Sequence, residues 1–364
     1  MTALLPEGFR DTLPPFADAA AAVEARALAA AASHGYERAD PPLAEFADGL
    51  GSRLKDGGLR NAVRFVDPVS QRTLAIRPDL TAQIARIAAT RMAHHPRPVR
   101  LSYAGPVLKL RGDALNPARE VRQIGCELIG LDSVAAAREV VTVAVDALEA
   151  AGATGISIDF TLPDLVDTMA AALPVEDVDA LRERLDAKDA GGVAALAPDY
   201  LPLIAAAGPF PDALERLRAF DKGGILASRI DGLGEIVASL GTRVQLTLDP
   251  TERHGFEYQS WLGFSLFVHG AAREVGRGGT YRVMREDGTE EAATGFSLFA
   301  DALVGSTMPE RRRLFLPYAT PASTGVAMRA AGWVTVAALE EGDTPEAQLC
   351  THILNGGEAK PLAG

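Results

Sequence analysis

The sequence predicts an α+β protein: an antiparallel sheet with flanking helices, a helical insertion and a small C-terminal α/β appendage. β-rich segments recur in the first half of the chain and again from residue 243 onward, whereas residues 163–241 are dominated by helix formers. The 364 residues are enough for two or more domains. We therefore expect a core over residues 1–162 and 242–305, a helical insertion over 163–241, and a short C-terminal α/β domain over 306–364.

Local signals predict the individual elements in chain order. Residues 14–33 begin with proline and continue with Ala, Leu, Glu and Arg, which predicts a helix that Gly35 ends. A further helix is expected to start near Asp79, and residues 134–152 form an amphipathic helical pattern with a glycine stop. The expected strands are 99–110, 120–130, 155–162, 243–250, 256–270 and 276–283. Residues 293–306 predict a strand that runs into a helix, and the tail predicts a β-α-β-α order.

Composition excludes several classes of function. The net charge is −12 and the pI about 5.1, which disfavours a large nucleic-acid footprint but leaves room for a local basic patch. The two cysteines, Cys126 and Cys350, lie far apart, with no disulfide framework and no zinc spacing. The N-terminus does not resemble a signal peptide, and no apolar run is long enough to span a membrane. We expect a cytoplasmic protein that has no membrane association.

General cofactor motifs are missing from the sequence. Neither a dinucleotide-binding nor a phosphate-binding glycine loop occurs, and "GRGGTYR" (276–282) lies among strand-forming residues, where a bulge or close backbone packing is the simpler interpretation. The six histidines are scattered without metal-ligand spacing. We expect no metal and no cofactor.

Two short stretches carry candidate site residues. Asp79 precedes a predicted helix, so it either caps that helix or holds an ammonium group in a cleft, and the local sequence favours the cap. Gln123 and Glu127 lie on one face of a predicted strand. Glu127 is flanked by Cys126 and Leu128, so its carboxylate is expected to be partly buried and to need a ligand or an internal arginine as partner.

These stretches belong to a series of blocks that resembles the catalytic core of the histidyl-tRNA synthetases, a class II synthetase fold, over residues 5–305. The blocks follow the synthetase order: "LLPEGFRDTLP", "GYERADPPLAEF" like the dimer-forming first motif, "IRPDLTAQIAR", the hairpin at 105–130 like the second motif, "HGFEYQSW" like the histidine signature, "GGTYR", and "GFSLFADAL" like the third motif. A single block is weak, but the ordered series is specific.

The departures from that family concern the cations that adenylation needs on the ATP phosphates. The resemblance places the second-motif arginine at Lys109, the third-motif arginine at Ala302 and the catalytic arginine of the histidine signature at His254. Lysine lacks the bidentate fork of arginine, and alanine has no charge. Arg253 could take the place of this catalytic arginine only if the alignment with the synthetase motif shifts by one residue. Since the loss of one preorganised donor costs about 10²–10³ in rate, we expect an inactive adenylation site.

The amino-acid side of the same pocket is partly kept. The resemblance places Asp79 at the carboxylate that binds the α-amino group, and Thr81, Gln123, Glu127 and Tyr258 at positions that contact histidine. The second tyrosine of the histidine signature is Gln259 here, which weakens the case for imidazole recognition.

A synthetase fold with a degraded ATP site and a shortened tail resembles the regulatory subunits of ATP phosphoribosyltransferase. The resemblance implies a non-catalytic protein that self-dimerises through the synthetase-like core and binds a short-form catalytic subunit in the first step of histidine biosynthesis. It would support activity and permit feedback by histidine, without binding tRNA. Two alternatives remain: a divergent histidyl-tRNA synthetase that uses Lys109 and Arg253, and a stand-alone histidine-binding or dimeric protein.

Overall fold

The computed structural model of the chain describes residues 4–51, 62–112, 117–253, 259–285, 287–305 and 312–362. It divides into two compact units, Met1–Thr307 and Met308–Gly364. The segment predicted as a helical insertion, residues 163–241, lies within the first unit.

The strands of the first unit form two sheets. They are β1 (Glu37–Arg38), β2 (Ala44–Phe46), β3 (Arg64–Val66), β4 (Thr73–Ile76), β5 (Val99–Leu108), β6 (Glu120–Ile129), β7 (Ser157–Thr161), β8 (Gly208–Pro209), β9 (Gln245–Leu248), β10 (Gln259–Phe267), β11 (Gly276–Met284) and β12 (Glu290–Phe299). The large sheet has the order β1-β5-β6-β12-β11-β10-β7-β9-β8. Among these described strands, β1–β5 and β7–β9 are parallel and the other neighbours in the large sheet are antiparallel. The small sheet has the order β2-β4-β3.

The helices of the first unit lie in the predicted helical segments except α2, which the sequence did not predict. They are α1 (Phe16–Ser33), α2 (Ala47–Gly51), α3 (Thr81–Ala89), α4 (Val134–Ala151), α5 (Leu165–Ala170), α6 (Val178–Asp186), α7 (Ala190–Leu196), α8 (Phe210–Phe220), α9 (Ala227–Leu240) and α10 (Ala300–Leu303), with a 3-10 helix at Pro198–Ala206.

The large sheet has two different faces because side chains alternate along each strand. On β6, Ile124, Cys126 and Leu128 point into the main core, where they pack with α1, α4 and the helices of residues 163–241. Val121 and Ile129 point to the opposite face and join a smaller core under α3. Residues 123, 125 and 127 lie between Val121 and Ile129 on the same face, toward α3. Polar side chains at these positions are therefore flanked by apolar ones.

Helix α4 is the central helix of the main core. Its N-cap Ser133 accepts a hydrogen bond from the backbone N–H of Ala136 at 3.1 Å, and Gly152 ends it with φ 94° in the left-handed region. The predicted glycine stop is therefore confirmed. Leu148 and Val141 are fully buried.

The small sheet leaves apolar side chains in solvent. Phe65 is 42% exposed and Val66, next to it on β3, is 62% exposed. Phe46 on β2 is 38% exposed and lies under the guanidinium of Arg72, whose Cζ is 3.6 Å from the ring centroid. This sheet therefore offers an apolar surface of a kind that marks interaction sites.

The second unit contains the strands β13 (Arg313–Leu316), β14 (Val334–Ala337), β15 (His352–Asn355) and β16 (Glu358–Pro361), and the helix α11 (Ala322–Ala330). Its sheet has the order β14-β13-β15-β16. The final helix predicted in the tail is wrong: the segment after β14 turns and then forms β15. Gly356 and Gly357, with φ 62° and 87°, make the tight turn of an antiparallel hairpin between β15 and β16, which only glycine adopts easily.

A search of the described helices for a membrane-crossing segment found none of sufficient length and apolarity.

The packing of α4 generates a prediction about stability. Replacement of Leu148 by Ala should lower the free energy of unfolding by about 2–5 kcal/mol, because the side chain is fully buried and leaves a cavity. Arg138, exposed on the same helix, is the matched control, and its replacement by Ala should change stability by at most about 0.5 kcal/mol. Urea unfolding followed by circular dichroism measures both. Equal effects would contradict the central role of α4 in the core.

Candidate functional site

The candidate site lies on the α3 face of the large sheet, where β6 passes the start of α3. Gln123 and Glu127 leave β6 on the same side, and each is 1% exposed. The segment before α3 brings Asp79 and Thr81 to these two residues. Leu80 between them is fully buried in the smaller core, which fixes the segment against the sheet. Four of the five residues predicted to contact an amino acid are therefore neighbours.

Glu127 is held by two tyrosines from neighbouring parts of the sheet. The hydroxyl of Tyr103, on β5, donates to Oε1 at 2.9 Å, and the hydroxyl of Tyr281, on β11, donates to Oε2 at 2.7 Å. The expectation of partial burial is exceeded. Among the described residues, phenol hydroxyls rather than an internal arginine donate to the two oxygens, and the expectation of a ligand stays a prediction.

Burial sets the protonation of this group. Loss of solvation raises the pKa of Glu127 to about 8, against the lowering effect of the hydrogen bonds from Tyr281, Tyr103 and Thr81, and the nearby charge of Asp79 adds to the rise. Burial also raises the pKa of Tyr103, so its hydroxyl stays protonated and remains a donor. The site can therefore take up or release a proton close to neutral pH.

Gln123 connects the sheet to the segment before α3. Its Oε1 accepts from the backbone N–H of Leu80 at 2.9 Å. Its Nε2 donates to Oδ2 of Asp79 at 2.9 Å and to Oγ of Ser297, on β12, at 2.7 Å. These contacts use the acceptor and both donor hydrogens of the amide, so its orientation is fixed.

Asp79 makes a capping contact, which is the first of its two predicted roles, and its role toward an ammonium group stays a prediction. The residue in the N-cap position of α3 is Leu80, whose side chain makes no cap. Asp79 instead accepts from the backbone N–H of Thr81 at 2.6 Å, which is a capping contact one residue earlier in the chain. The same carboxylate faces the site through its contact with Gln123. It is therefore a positioned anion that remains half-buried.

Glycines form the floor beside Glu127. The register aligns Gly295 with Glu127 and with Gly279, and aligns Gly279 with Gly263. A Cβ at Gly295 would overlap the Glu127 carboxylate, and one at Gly279 would lie 2.6 Å from Nε2 of Gln259. That amide crosses the floor and donates to the carbonyl oxygen of residue 278 at 2.9 Å.

This arrangement decides between the two interpretations of "GRGGTYR". Strand β11 continues through Gly278 and Gly279 in unbroken register with β12, so it has no bulge. The register changes instead on β10, between Gln259 and Gly263. The glycines are needed for close packing.

Above the floor lies a cleft that is partly open to solvent. Its polar lining comes from five elements: Thr81, Glu127, Gln259, Arg277, Tyr281 and Ser297. This polar lining suits a small polar ligand.

Several of these residues were not predicted from the sequence. The sequence predicted no role for Tyr103, Ser297 or Arg277. Tyr281 was noted only as part of the segment "GRGGTYR". The available signal was the alternation of side chains: Arg277, Gly279 and Tyr281 are two residues apart on one strand and share a face. That face meets Glu127 only through the order of the strands, which the sequence pattern does not give.

The positions predicted to have lost their cations are described in part. Lys109 directly follows β5, and its backbone N–H donates to the carbonyl oxygen of Arg119 at 2.8 Å. Ala302 lies on α10, packed against the main core. His254 and Tyr258 lie outside the described residues.

Among the described residues, no three His, Cys, Asp or Glu side chains are grouped to hold a metal ion.

The sequence model of the family described as "Histidyl-tRNA synthetase" matches residues 8–303 of this chain. A crystal structure from Bacillus halodurans, titled an ATP phosphoribosyltransferase regulatory subunit/histidyl-tRNA synthetase, superimposes with a TM-score of 0.78 at 22% identity and covers 96% of each chain. The fold is therefore that of the histidyl-tRNA synthetase-like proteins, as the ordered blocks predicted.

Curated relatives define the family more narrowly. A protein of Rhodospirillum centenum is 42% identical over 99% of this chain and 96% of its own length, and one of Paramagnetospirillum magneticum is 42% identical over 97% and 96%. Both are named ATP phosphoribosyltransferase regulatory subunit. The chain belongs to this family of regulatory subunits.

The glycine floor generates a prediction. Replacement of Gly295 by Ala should lower the free energy of unfolding by about 1–3 kcal/mol, because the added methyl group displaces the Glu127 carboxylate and strains the packed sheet. Gly234, inside α9 with open space around it, is the control, and its replacement by Ala should raise stability by roughly 0.5–1 kcal/mol. Thermal unfolding of both variants measures the difference. A neutral Gly295→Ala would contradict the close seating of Glu127.

The pKa of Glu127 generates a second prediction. The native carboxyl keeps its proton up to about pH 8, whereas the unfolded carboxyl loses it near 4.5. The native state therefore binds more protons between these values, and this group lowers the free energy of unfolding as the pH rises through that window.

Glu127→Gln removes this titration, so the wild type should lose stability relative to the variant between pH 5 and pH 8, by an amount on the order of a few kcal/mol. Urea unfolding at several pH values measures the difference. Parallel pH profiles would show that Glu127 titrates normally.

Proposed function

We propose that the chain is the non-catalytic regulatory subunit of a short-form ATP phosphoribosyltransferase, which carries out the first step of histidine biosynthesis. Its catalytic partner condenses ATP with phosphoribosyl pyrophosphate, and this chain supports that activity and transmits feedback by histidine. One observation supports the proposal: Asp79 and Thr81 lie beside Gln123 and Glu127, the four positions at which the resemblance places amino-acid contacts. The resemblance places lost adenylation cations at Lys109 and Ala302.

Histidine is the proposed ligand of the cleft. Asp79, half-buried and positioned by Thr81 and Gln123, suits an ammonium group. Glu127 suits an imidazole, because a carboxyl group with a pKa of about 8 can exchange a proton with a ring that titrates nearby. Tyr258 is the remaining proposed contact and lies outside the described residues.

The same residues do not support adenylation. Charge that develops on the phosphates in the transition state must meet fixed cations. Ala302 supplies none, and Lys109 supplies a point charge in place of a bidentate fork. A divergent synthetase is therefore the weaker proposal, and the net charge of −12 disfavours tRNA as a partner.

Self-association is also proposed, through the region that resembles the dimer-forming first motif. This region includes β2, whose small sheet exposes Phe46, Phe65 and Val66. Apolar surface of this kind is stabilised when a second copy covers it. The proposed place of action is the cytoplasm, a reducing compartment that suits two unpaired cysteines.

Feedback requires a difference between two states of the complex. If histidine bound the active and inactive arrangements with equal affinity, it would shift nothing. The proposed coupling therefore predicts that the catalytic partner changes the affinity of this chain for histidine by the same factor as histidine changes the affinity for the partner.

The test is the transferase activity of a short catalytic subunit from the same organism, with and without this chain, titrated with histidine. Activity should appear only with both chains and should fall as histidine is added. Glu127→Gln should weaken the response to histidine at least tenfold. Glu120→Gln, an exposed change on the same strand, should leave it unchanged.

Other outcomes identify the alternatives. Formation of histidyl-adenylate by the chain alone would establish a synthetase. Histidine binding without any effect on the transferase would establish a stand-alone binding protein.

A further inference from the structure

The cleft that contains Glu127 also contains a cation. Among the described residues that line it, Arg277 is the only one with a positive charge. Arg277 lies on β11, and its partner in the register is Ser297 on β12. Ser297 in turn accepts from Gln123 and contacts the hydroxyl of Tyr103 at 3.1 Å. Arg277 is thus one strand away from the hydrogen-bond network that holds the acidic residues.

The guanidinium group is held in place. Its Nε donates to Oε1 of Glu274 at 2.7 Å, and its Nη2 donates to Oε2 of the same carboxylate. Ser265, next to Arg277 in the register, contacts Glu274 through its hydroxyl at 3.5 Å. The two side chains are 24% and 20% exposed. A guanidinium whose plane is already fixed loses little further entropy when it binds a ligand.

Glycines line the floor beside Glu127. Glu127 and Arg277 share a face of the sheet with β12 between them, and Gly295 and Gly279 lie level with Glu127 in the register, whereas Arg277 lies level with Ser297. Strands are about 4.8 Å apart, so Glu127 and Arg277, two strands apart, are separated by roughly 10 Å across the sheet, a distance that a small amino acid and two long side chains can span. The carboxyl group of Glu127, with Asp79 joined to it through Gln123, therefore lies on one side of the cleft, and the guanidinium of Arg277, paired with Glu274, lies on the other.

We propose that Arg277 binds the α-carboxylate of the amino acid, opposite Asp79, and that it makes the cleft selective for amino acids over amino alcohols. A planar guanidinium matches a carboxylate with directed, charge-assisted hydrogen bonds. This inference rests on the proposed function, since it assigns one end of the ligand proposed there.

Paired ligands test the assignment. L-histidine and L-histidinol share the imidazole and the ammonium group and differ in the carboxylate. Isothermal titration of the full chain should show histidine binding at least about tenfold more tightly than histidinol. In Arg277→Gln the affinity for histidine should fall by about that factor, with little change for histidinol, so the two ligands become equivalent.

Arg282→Gln is the control, because Arg282 lies on the same strand with its side chain on the other face, paired with Asp132 at the surface. It should keep the wild-type ratio of the two affinities. If Arg277→Gln also keeps that ratio, or weakens both ligands equally, Arg277 has only a structural role and the assignment is wrong. Failure of the wild type to bind either ligand would overturn the proposed function together with the assignment.

Discussion

The buried carboxylate of Glu127 is the constraint on which the site depends. An acid almost without solvent contact requires donors on both oxygens, and Tyr103 and Tyr281 supply them from different strands. Those hydroxyls reach the carboxylate only because the neighbouring position on β12 is Gly295. Glu127 on β6 therefore constrains which residues can occupy the facing positions on β5, β11 and β12. The geometry of the cleft follows from the hydrogen bonds and the space that this one buried carboxyl group requires.

The rest of the site extends from this group through one amide. Gln123 occupies its acceptor with the backbone of Leu80 and its donors with Asp79 and Ser297. The acidic segment before α3 is thereby attached to the middle of the sheet rather than to a surface loop. A ligand that contacts both Asp79 and Glu127 would meet a site whose parts are already fixed, which is how preorganised sites limit the entropy lost on binding. The site thus combines the positioned carboxylate of Asp79 with the carboxyl group of Glu127, whose pKa is raised to about 8.

Sequence reasoning succeeded where the signal was local. The glycine stop of α4 and the shared face of Gln123 and Glu127 follow from helix and strand periodicity. It failed in the tail, where the apolar run before Gly356 was assigned to a helix although the paired glycines indicate a hairpin. Tyr103 and Tyr281 were missed because their contacts with Glu127 depend on strand order, and Arg277 was missed because only strand order places it beside the same cleft. Residues separated by 154 positions meet there, and no local pattern carries that information.

The two faces of β6 have a consequence for how such a protein can change over time. Ile124, Cys126 and Leu128 maintain the main core, while the intervening residues define the cleft. Substitutions in the cleft can alter what is bound without disturbing the packing that keeps the chain folded. Lys109 and Ala302, the positions at which the resemblance places lost adenylation cations, also lie outside the central strand. A scaffold divided in this way can lose one chemical activity by drift, keep its shape, and be retained for a different task.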